Sequence, residues 1–361
     1  MSIPCPARFS TRRLRWAIVA FIILMQLVAV IFSSIGQVSW LDILMPDPFR
    51  DGVIANMSRR SSQICLAQAR KVEGVYVDPR LRQPGNLVVT AANHGYLDML
   101  DSWMCFADRT GWQYLVLAFD LKLYRHITHA HPNKTSCPVF DSKVELSRPS
   151  NFQSSVFNIV SCLKIKAVAN LLHHGYSVLF LDVDVRWKQD IWKIVRSSPC
   201  DYTFQINRHE YQGVPFTYSG SDEGNTGVYY AKPTRAVRDL FQQVANGSCL
   251  SPLELDDQTL FWNELRSRFL SQRAVFFHEA VNGSSAHPAW QTKLPADKLS
   301  FCPFDPYQIA SGWALRVTDE AREALGVLLV HANYLVGKRP KVENLQRIGY
   351  WDCPPAQKQH E

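Results

Sequence analysis

The sequence predicts an α/β fold: a mostly parallel, Rossmann-like sheet with helices on both faces, preceded by a single N-terminal transmembrane helix. Short apolar runs rich in β-branched residues alternate with helical segments between residues 86 and 331, as in sheets whose parallel strands are joined by helices. A basic leader precedes one long apolar segment. The 361 residues are 47% hydrophobic and 20% charged, which is typical of a folded protein and not of a disordered chain.

The N-terminal region has the features of a signal anchor. Residues 16–32 are apolar except for Gln26, and a helix of this length lies at the short end of the range that crosses about 30 Å of hydrocarbon. Four arginines precede it, so this end should stay in the cytosol. We expect a cytosolic tail at 1–15 and a transmembrane signal anchor at 16–36, with a cleaved signal peptide as the alternative.

The net charge of +7 is concentrated in this leader. Without residues 1–36 the formal charge is about +3, because four arginines and no acidic residue lie there. A near-neutral domain lacks the basic surface that a nucleic-acid-binding protein needs. We therefore expect membrane attachment through one helix and no nucleic-acid partner.

Cysteine usage and glycosylation motifs agree with a secretory-pathway location. Eight of the nine cysteines follow the anchor, an even number that suits disulfides in an oxidising compartment. None belongs to a C-x-x-C pair of the kind that binds zinc. Glycosylation acceptor patterns begin at Asn56, Asn133, Asn246 and Asn282. We expect the chain beyond the anchor to lie in the lumen, while the pairing of the cysteines stays open.

The chain after the anchor divides into a stem and a folded domain. Residues 37–84 are irregular and predict a stem, residues 85–353 contain the alternating elements, and residues 354–361 predict a flexible tail. The predicted strands are 86–90, 114–118, 177–181, 202–206, 228–231 and 327–331. The predicted helices are 96–106, 151–173, 234–244 and 256–269. Ligands of such sheets bind beyond the carboxyl ends of the strands, so polar residues that follow apolar runs are the functional candidates.

Two aspartates directly follow the predicted strand 177–181. Asp182 and Asp184 are two residues apart, so in an extended backbone both carboxylates reach the same side. Paired carboxylates suit Mg²⁺ or Mn²⁺, which can bridge to a diphosphate. Two solvated loop acids are the plain alternative, and a phosphatase-like hydrolase with Asp182 as nucleophile is the chemical one. The phosphatase pattern usually has Thr or Val at the position that Arg186 occupies here.

A second group of polar residues follows the predicted strand 327–331. His331 stands at its end as a candidate third metal ligand. Gly337 would let the backbone approach a phosphate closely, and Lys338 or Lys341 would neutralise its charge. A capped strand with a basic turn is the alternative. Together with the aspartates, however, these residues would supply both metal ligands and a counter-charge for phosphate.

Several short motifs occur in a fixed order between Leu87 and Trp351. They are Val89-Thr90-Ala-Ala-Asn93 with Tyr96-Leu-Asp98, Lys164, Leu172-His-His-Gly175-Tyr, the strand LFLDVDV, Asn225-Thr-Gly227-Val-Tyr-Tyr, Asp257-Gln258, His331-x-Asn333-x-x-x-Gly337-x-x-x-Lys341 and Gly349-Tyr-Trp351. By these motifs the chain resembles the nucleotide-diphospho-sugar transferase family, which contains plant rhamnogalacturonan xylosyltransferases and arabinosyltransferases of cell-wall glycoproteins.

The resemblance implies a GT-A-type fold and a metal-dependent, retaining glycosyltransferase that uses Mn²⁺ or Mg²⁺. The donor would be a nucleotide diphosphate sugar such as a UDP-sugar, and the transferred group xylosyl, arabinosyl or galactosyl. The acceptor would be a hydroxyl of a polysaccharide, another glycan or a glycoprotein. The family and the short anchor together predict a single-pass type II Golgi membrane protein with a lumenal catalytic domain. A non-catalytic carbohydrate-binding protein on the same fold is the alternative.

The resemblance also implies roles for individual positions. The residues that would hold the nucleotide are Thr90, Asn93 and Lys164. Asp182 would face the ribose or the metal, while the remaining metal ligands would be Asp184 and His331. The residues around the diphosphate would be Gly337, Lys338 and Lys341.

Three adjacent residues are candidates for the reacting centre. Departure of the diphosphate leaves an oxocarbenium-like sugar, and retention then requires an enzyme nucleophile or attack from the same face. The candidates for nucleophile or stabiliser are Asp256, Asp257 and Gln258, although N-capping of the following helix explains the two aspartates equally well. The residues expected to shape the donor-sugar and acceptor pocket are Asn225 and Gly227. Further acceptor-side candidates are Gln205 and Asn207.

Overall fold

The computed structural model describes residues 59–73, 85–139, 146–149, 154–207, 224–247, 249, 255–267, 275–279, 287–291 and 299–352. The predicted cytosolic tail, signal anchor and C-terminal tail lie outside the described residues, as does the predicted stem except for residues 59–73. The glycosylation patterns at Asn56 and Asn282 also lie outside them.

The strands of the described ranges form two sheets, one of nine strands and one of three. The large sheet contains β1 (Asn86–Ala92), β2 (Tyr114–Ala118), β3 (Thr135–Pro138), β4 (Ser177–Leu181), β6 (Tyr202–Ile206), β7 (Gly224–Ala231), β8 (Val275–Glu279), β9 (His287–Gln291) and β10 (Ser300–Pro303). The small sheet contains β5 (Val185–Trp187), β11 (Ile309–Ala310) and β12 (Leu329–His331).

The large sheet has the strand order β3-β2-β1-β4-β7-β6-β10-β9-β8. The pairings β1–β2, β1–β4, β2–β3 and β6–β10 are parallel, whereas β7 runs antiparallel to both β4 and β6. Strands β8, β9 and β10 pair antiparallel at one edge. Seven of these nine strands run in one direction, so the sheet is mostly parallel as predicted, and the opposite direction of β7 and β9 is an addition to that prediction. Hydrophobic runs reveal buried strands but do not encode their direction.

Helices cover both faces of the sheet. They are α1 (Arg59–Glu73), α2 (Leu97–Arg109), α3 (Leu121–Ala130), α4 (Ser155–His173), α5 (Trp192–Ser197), α6 (Arg235–Asn246), α7 (Asp257–Leu265), α8 (Asp319–Ala324) and α9 (Lys338–Arg347). Leu179 of β4 packs in a core cluster that includes Trp103 of α2. The next residue, Phe180, stacks at 5.3 Å on Tyr229, whose ring lies 5.7 Å from Phe241 of α6. Since neighbouring strand residues face opposite ways, these contacts belong to opposite faces.

Polar caps explain where several helices begin and end. The carboxylate of Asp120 accepts the Leu123 N–H at 2.8 Å at the start of α3, and the hydroxyl of Ser154 accepts an N–H at the start of α4. Each such cap stabilises a helix by about 1 kcal/mol. After α4, Gly175 adopts φ 90°, which only glycine tolerates easily and which turns the chain into β4.

A cluster of indole rings anchors the small strand β5. Trp187 is fully buried and stacks on Trp112 at 4.6 Å between ring centroids. The edges of Trp103 and Phe106 meet the same ring at 5.3 and 6.2 Å. Aromatic pairs of this kind contribute about 0.5–1.5 kcal/mol beyond the area they bury. Because β5 begins directly after Asp184, this packing also fixes the turn that carries the two aspartates.

Part of the predicted stem belongs to the folded domain. Helix α1 lies inside the segment 37–84, yet its Cys65, Ala69 and Val72 are buried. A disulfide joins Cys65 to Cys137 of β3. The domain therefore includes residues that the irregular sequence pattern assigned to a tether, because three buried apolar positions among many polar residues do not show that a helix packs against the domain.

Disulfides join parts of the domain that are distant in sequence. Besides the bond at Cys65, disulfides connect Cys162 to Cys249 and Cys200 to Cys302. Cys105 is disulfide-bonded as well. In the chain-entropy model a bond that closes a loop of this size stabilises a domain by about 3–5 kcal/mol. The sequence predicted disulfides but left their pairing open.

One helix among the described residues has the length and composition of a membrane span, namely Val156–His173. Most of this segment is buried inside the domain. Its Cys162, Ile165, Val168 and Leu172 are almost fully enclosed, as expected for a core helix of an α/β domain.

Candidate active site

Strand pairing brings the two aspartates and His331 together. The chain turns after β4, with the Val185 N–H donating to the Asp182 carbonyl at 3.1 Å, and continues into β5. Strand β5 pairs antiparallel with β12, which sets His331 opposite Val185. The Ala332 N–H donates to the carbonyl of Asp184 at 3.0 Å. Residues far apart in the chain are thus held together by backbone hydrogen bonds.

The side chains of Asp182, Asp184 and His331 converge at this point. Each offers one ligand atom, and these atoms lie within 4.8 Å of one another. The His331 Nε2 is 3.2 Å from an Asp184 oxygen, and both side chains are about 95% buried. Two carboxylates and one imidazole around one point form a donor set that fits a divalent cation such as Mn²⁺ or Mg²⁺.

The charges around the aspartates favour a cation at this point. Burial alone would raise the pKa of Asp184, but Lys341 and His331 outweigh it and hold that pKa well below its usual range. Burial raises the pKa of Asp182, and although Lys164 opposes this, the carboxylate of Asp184 adds to the rise. Mutual repulsion of two neighbouring carboxylates, one buried and one half-buried, is what a bound cation relieves.

Gln205 fixes the imidazole of His331. Its Nε2 donates to the Ala310 carbonyl at 2.8 Å, which turns its Oε1 toward His331. The distance from that oxygen to His331 Nδ1 is 2.8 Å, so Nδ1 donates to Gln205 and Nε2 is the nitrogen that faces Asp184. Gln205 is 1% exposed. It does not line the cleft; its amide oxygen contacts His331 instead, so its expected contact with the acceptor stays a prediction.

Arg186 fixes the turn between the two aspartates, a role that the sequence analysis missed. Its guanidinium is fully buried and donates to the carbonyls of Val183, Val185 and Met99 at 2.7, 2.8 and 3.0 Å. Burial lowers its pKa to about 9, against the opposing effect of Asp184. A lone arginine inside the otherwise apolar strand VRW was the available signal, because a charge there needs internal partners.

A cleft of about 390 Å³ opens over this cluster. The candidate residues that line it are Lys164, Asp182, Asp184, Asn207, Asn225, Gly227, Asp256, Asp257, Gln258, His331, Gly337 and Lys341. The Lys341 Nζ contacts Asp184 at 2.7 Å. A side chain at Gly227 would collide with the Asp182 carboxylate and the His331 ring, so the absence of a side chain there creates the space for the cluster.

A second group of residues that line the cleft surrounds Lys164. Its ammonium contacts the carboxylate of Asp257 at 2.7 Å and that of Asp182 at 3.7 Å. Burial would lower the pKa of Lys164, but these two carboxylates raise it. Gln258 also lines the cleft, where its Oε1 accepts from the Asn225 amide at 3.0 Å. Lys164 thus holds the side chain of Asp257 in place, and Asn225 holds that of Gln258.

Asp256 is a helix cap. Its carboxylate accepts the Thr259 N–H at 2.8 Å and begins α7, as the alternative interpretation of the sequence holds. It still lines the cleft beside Asp257. Its capping contact leaves Asp257 and Gln258 as the better placed candidates for the reacting centre.

Of the three residues expected at the diphosphate, Gly337 and Lys341 line the cleft and Lys338 does not. Gly337 has φ 83° and begins α9, so the amide end of this helix faces the cleft. Lys341 reaches Asp184, but Lys338 turns away and contacts Asp98 at 2.7 Å and the Gly95 carbonyl at 3.1 Å. Lys338 is absent from the cleft lining, so its expected place at the diphosphate is corrected.

A smaller cavity of about 130 Å³ adjoins the cleft at the end of β1. Asn93, Tyr96 and Phe119 are among its lining residues, and the Asn93 amide donates to the Arg148 carbonyl at 2.9 Å. Thr90 is fully buried and lines neither cavity. It belongs to the packed interior of β1, which corrects its expected contact with the nucleotide.

Sequence comparison identifies the family. The model described as nucleotide-diphospho-sugar transferase matches residues 112–345, well over half of the chain. The chain belongs to the nucleotide-diphospho-sugar transferase family. It is therefore a relative of nucleotide-sugar glycosyltransferases, and the phosphatase-like alternative loses its support.

Curated relatives are plant glycosyltransferases. An Arabidopsis thaliana UDP-D-xylose:L-fucose alpha-1,3-D-xylosyltransferase is 24% identical over 279 residues, which cover 74% of this chain and 69% of the relative. The Arabidopsis thaliana beta-arabinofuranosyltransferase RAY1 is 23% identical, over 74% of this chain and 47% of its own length. Among solved structures, the apo-form glycosyltransferase GlyE of Streptococcus pneumoniae TIGR4 matches with a TM-score of 0.39 at 11% identity, over 72% of this chain and 59% of that chain.

Proposed function

We propose that this protein is a metal-dependent, retaining glycosyltransferase with a GT-A-type fold. It would transfer a sugar from a UDP-sugar to a hydroxyl of a polysaccharide, another glycan or a glycoprotein. The observation that carries the proposal is the convergence of Asp182, Asp184 and His331 within 4.8 Å, inside a cleft that Lys341 also lines. Membership of the family supplies the donor class.

The cleft offers a separate group for each part of a nucleotide sugar. Asp182, Asp184 and His331 would hold Mn²⁺ or Mg²⁺. A bound cation would stabilise the negative charge that develops on the departing diphosphate. Lys341 and Gly337, at the amide end of α9, both line the cleft and would bind that diphosphate.

The adjoining cavity would hold the nucleoside. Asn93 lines it, with the side chains of Tyr96 and Phe119. Buried amide and aromatic groups are suited to the edge and face of a base. Lys164 lines both cavities. To contact the donor, its ammonium would move away from Asp182.

The transferred sugar would lie beside the residues around Lys164. Gln258, Asp257, Asn225 and Gly227 all line the cleft. The Gln258 amide N–H₂ would stabilise the reacting sugar, while Asp257, whose charge Lys164 balances, would stabilise a developing oxocarbenium ion or act as nucleophile. Asn207, which the Asn333 amide reaches at 3.3 Å, would contact the acceptor.

The location that we propose is the Golgi membrane, with a type II topology and a lumenal catalytic domain. The disulfides at Cys65, Cys162 and Cys200 support an oxidising compartment. The basic leader and apolar segment of the sequence support the anchor.

A donor screen tests the function. The full chain is incubated with a panel of nucleotide sugars and Mn²⁺, and release of the nucleotide diphosphate is measured. We expect turnover with at least one UDP-sugar, loss of turnover when Mn²⁺ is chelated, and at least a 100-fold loss in Asp184→Asn. The surface variant Glu343→Gln is the control and should keep full activity. Metal-independent turnover, or an unaffected Asp184→Asn variant that remains folded, would refute the site.

A further inference from the structure

A second cluster of metal-ligating side chains lies outside the cleft. Asp101 of α2, His126 of α3 and His131, which directly follows α3, each offer one ligand atom, and these atoms lie within 4.8 Å of one another. None of the three lines either cavity of the candidate active site. The proposed transfer reaction does not use them.

The imidazoles of this cluster are available to a cation. The rings of His126 and His131 meet edge to face at 5.7 Å, and His94 approaches His126 at 6.5 Å. The side chain of His126 is half-buried. The side chains of His131 and Asp101 are 35% and 47% exposed, so an ion can reach them from solvent.

The spacing needs only small side-chain movements to close around an ion. His131 Nε2 and an Asp101 carboxylate oxygen are 3.8 Å apart, whereas ligand atoms about 2.0–2.2 Å from one zinc ion in a tetrahedron lie a little over 3 Å apart. Rotation of exposed side chains covers this difference at little cost. A solvent-exposed ion pair between Asp101 and protonated His131 would also explain this contact. It does not explain why His126 lies within reach of the same point.

The ligand types of the two clusters differ. The cleft cluster has two carboxylates and one imidazole, whereas this cluster has two imidazoles and one carboxylate. Imidazole nitrogen favours Zn²⁺ over Mg²⁺ and Mn²⁺, and two histidines with one carboxylate, leaving a position for water, is a common zinc donor set.

We propose that Asp101, His126 and His131 form a second divalent-cation site that takes Zn²⁺ and ties α3 to α2. The site would act on stability and not on the reaction. Its ligands come from two helices that are linked through β2 in the chain, so a bound ion would oppose their separation on unfolding.

Zinc titration tests this site. The full chain carrying Asp184→Asn, which disables the cleft cluster, is freed of metal and titrated with Zn²⁺ against a chromogenic chelator. We expect one Zn²⁺ per chain, and binding at least tenfold weaker after His131→Gln or His126→Gln. The matched control is His174→Gln, since His173 and His174 also form an edge-to-face pair, at 5.4 Å between centroids. That control should bind Zn²⁺ unchanged.

Two results would overturn the proposal. One is that Asp184→Asn already binds no Zn²⁺; the other is that the histidine variants bind it as tightly as their parent. If a histidine variant does not fold, Asp101→Asn replaces it, because this carboxylate is the most exposed member. With the native cleft, His131→Gln should retain Mn²⁺-dependent turnover, so failure of the zinc site and failure of the transferase proposal are separate outcomes.

Discussion

The two histidine–aspartate clusters have the same number of ligands but are held in different ways. In the cleft, backbone pairing of β5 with β12 places the ligands, and Gln205, Lys341 and Arg186 each fix part of the arrangement. At the surface, Asp101, His126 and His131 lie on helix faces and ends without comparable support. Preorganisation, more than ligand type, distinguishes a site that can stabilise a transition state from one that can only bind.

The largest effect that this comparison predicts is at Gly227. Gly227→Ala would drive a methyl group into Asp182 and His331, and misplacement by about 1 Å can reduce turnover about 100-fold. We expect at least that loss in a Mn²⁺-dependent turnover assay. Gly111→Ala is the control for stability: its added methyl group meets open space, but the φ of 71° strains an alanine, so this variant should lose stability and keep its turnover while folded. A Gly227→Ala variant with half the parent activity would mean that the cluster tolerates displacement.

The two lysines of the same helix should differ strongly. Lys341→Met removes the ammonium beside Asp184, and loss of one group that stabilises a developing charge costs about 100-fold in kcat. Lys338→Met removes only the contacts with Asp98 and Gly95, so we expect a change below about threefold. The ratio of the two kcat values is the measurement. Equal losses would show that Lys338 reaches the donor after all.

A smaller effect is expected at Gln205, which supports the metal ligand indirectly. Gln205→Leu removes the acceptor for His331 Nδ1, and loss of such a partner weakens metal binding about 10- to 100-fold. Activity should therefore recover at high Mn²⁺ concentration. Gln205→Glu keeps an oxygen at this place and should restore part of the affinity. A raised acceptor KM with an unchanged Mn²⁺ requirement would instead make Gln205 an acceptor contact.

The smallest effect concerns the stability of the metal-free protein. The folded state raises the pKa of Asp182, chiefly through burial, so its ionised form opposes folding at pH values above its unfolded pKa of about 3.9. This penalty is absent below that pH and grows as pH rises toward the folded pKa. Asp182→Asn should therefore raise the melting temperature at pH 7 more than at pH 4, and added Mn²⁺ should stabilise only the parent. An equal effect at both pH values would contradict the charge argument.

The sequence revealed those parts of the fold that long apolar runs specify. Strands β2, β4 and β6 lie where their runs predicted them, because each is buried on both faces. Strand β5 has only three residues and contains Arg186, so no window of hydrophobicity identifies it. Strand β7 begins at Gly224, four residues before its predicted start, because its first residues are small and polar where they border the cleft.

The sequence predicted the part of the candidate site that lies at strand ends. Asp182, Asp184 and His331 follow two apolar runs, and the structure brings them together. The direction of Lys338, the burial of Thr90 and the inward turn of Gln205 depend on side-chain partners from distant segments. Local spacing contains no information on such partners, so the sequence could not predict these three contacts.

The most direct test of the central claim, that one cation held by Asp184 and His331 binds the diphosphate, is calorimetric titration of UDP into the full chain with and without Mn²⁺. We predict that Mn²⁺ tightens UDP binding at least tenfold in the parent and has no such effect in Asp184→Asn. Equal UDP affinity in the parent and in Asp184→Asn, each with and without Mn²⁺, would contradict this claim.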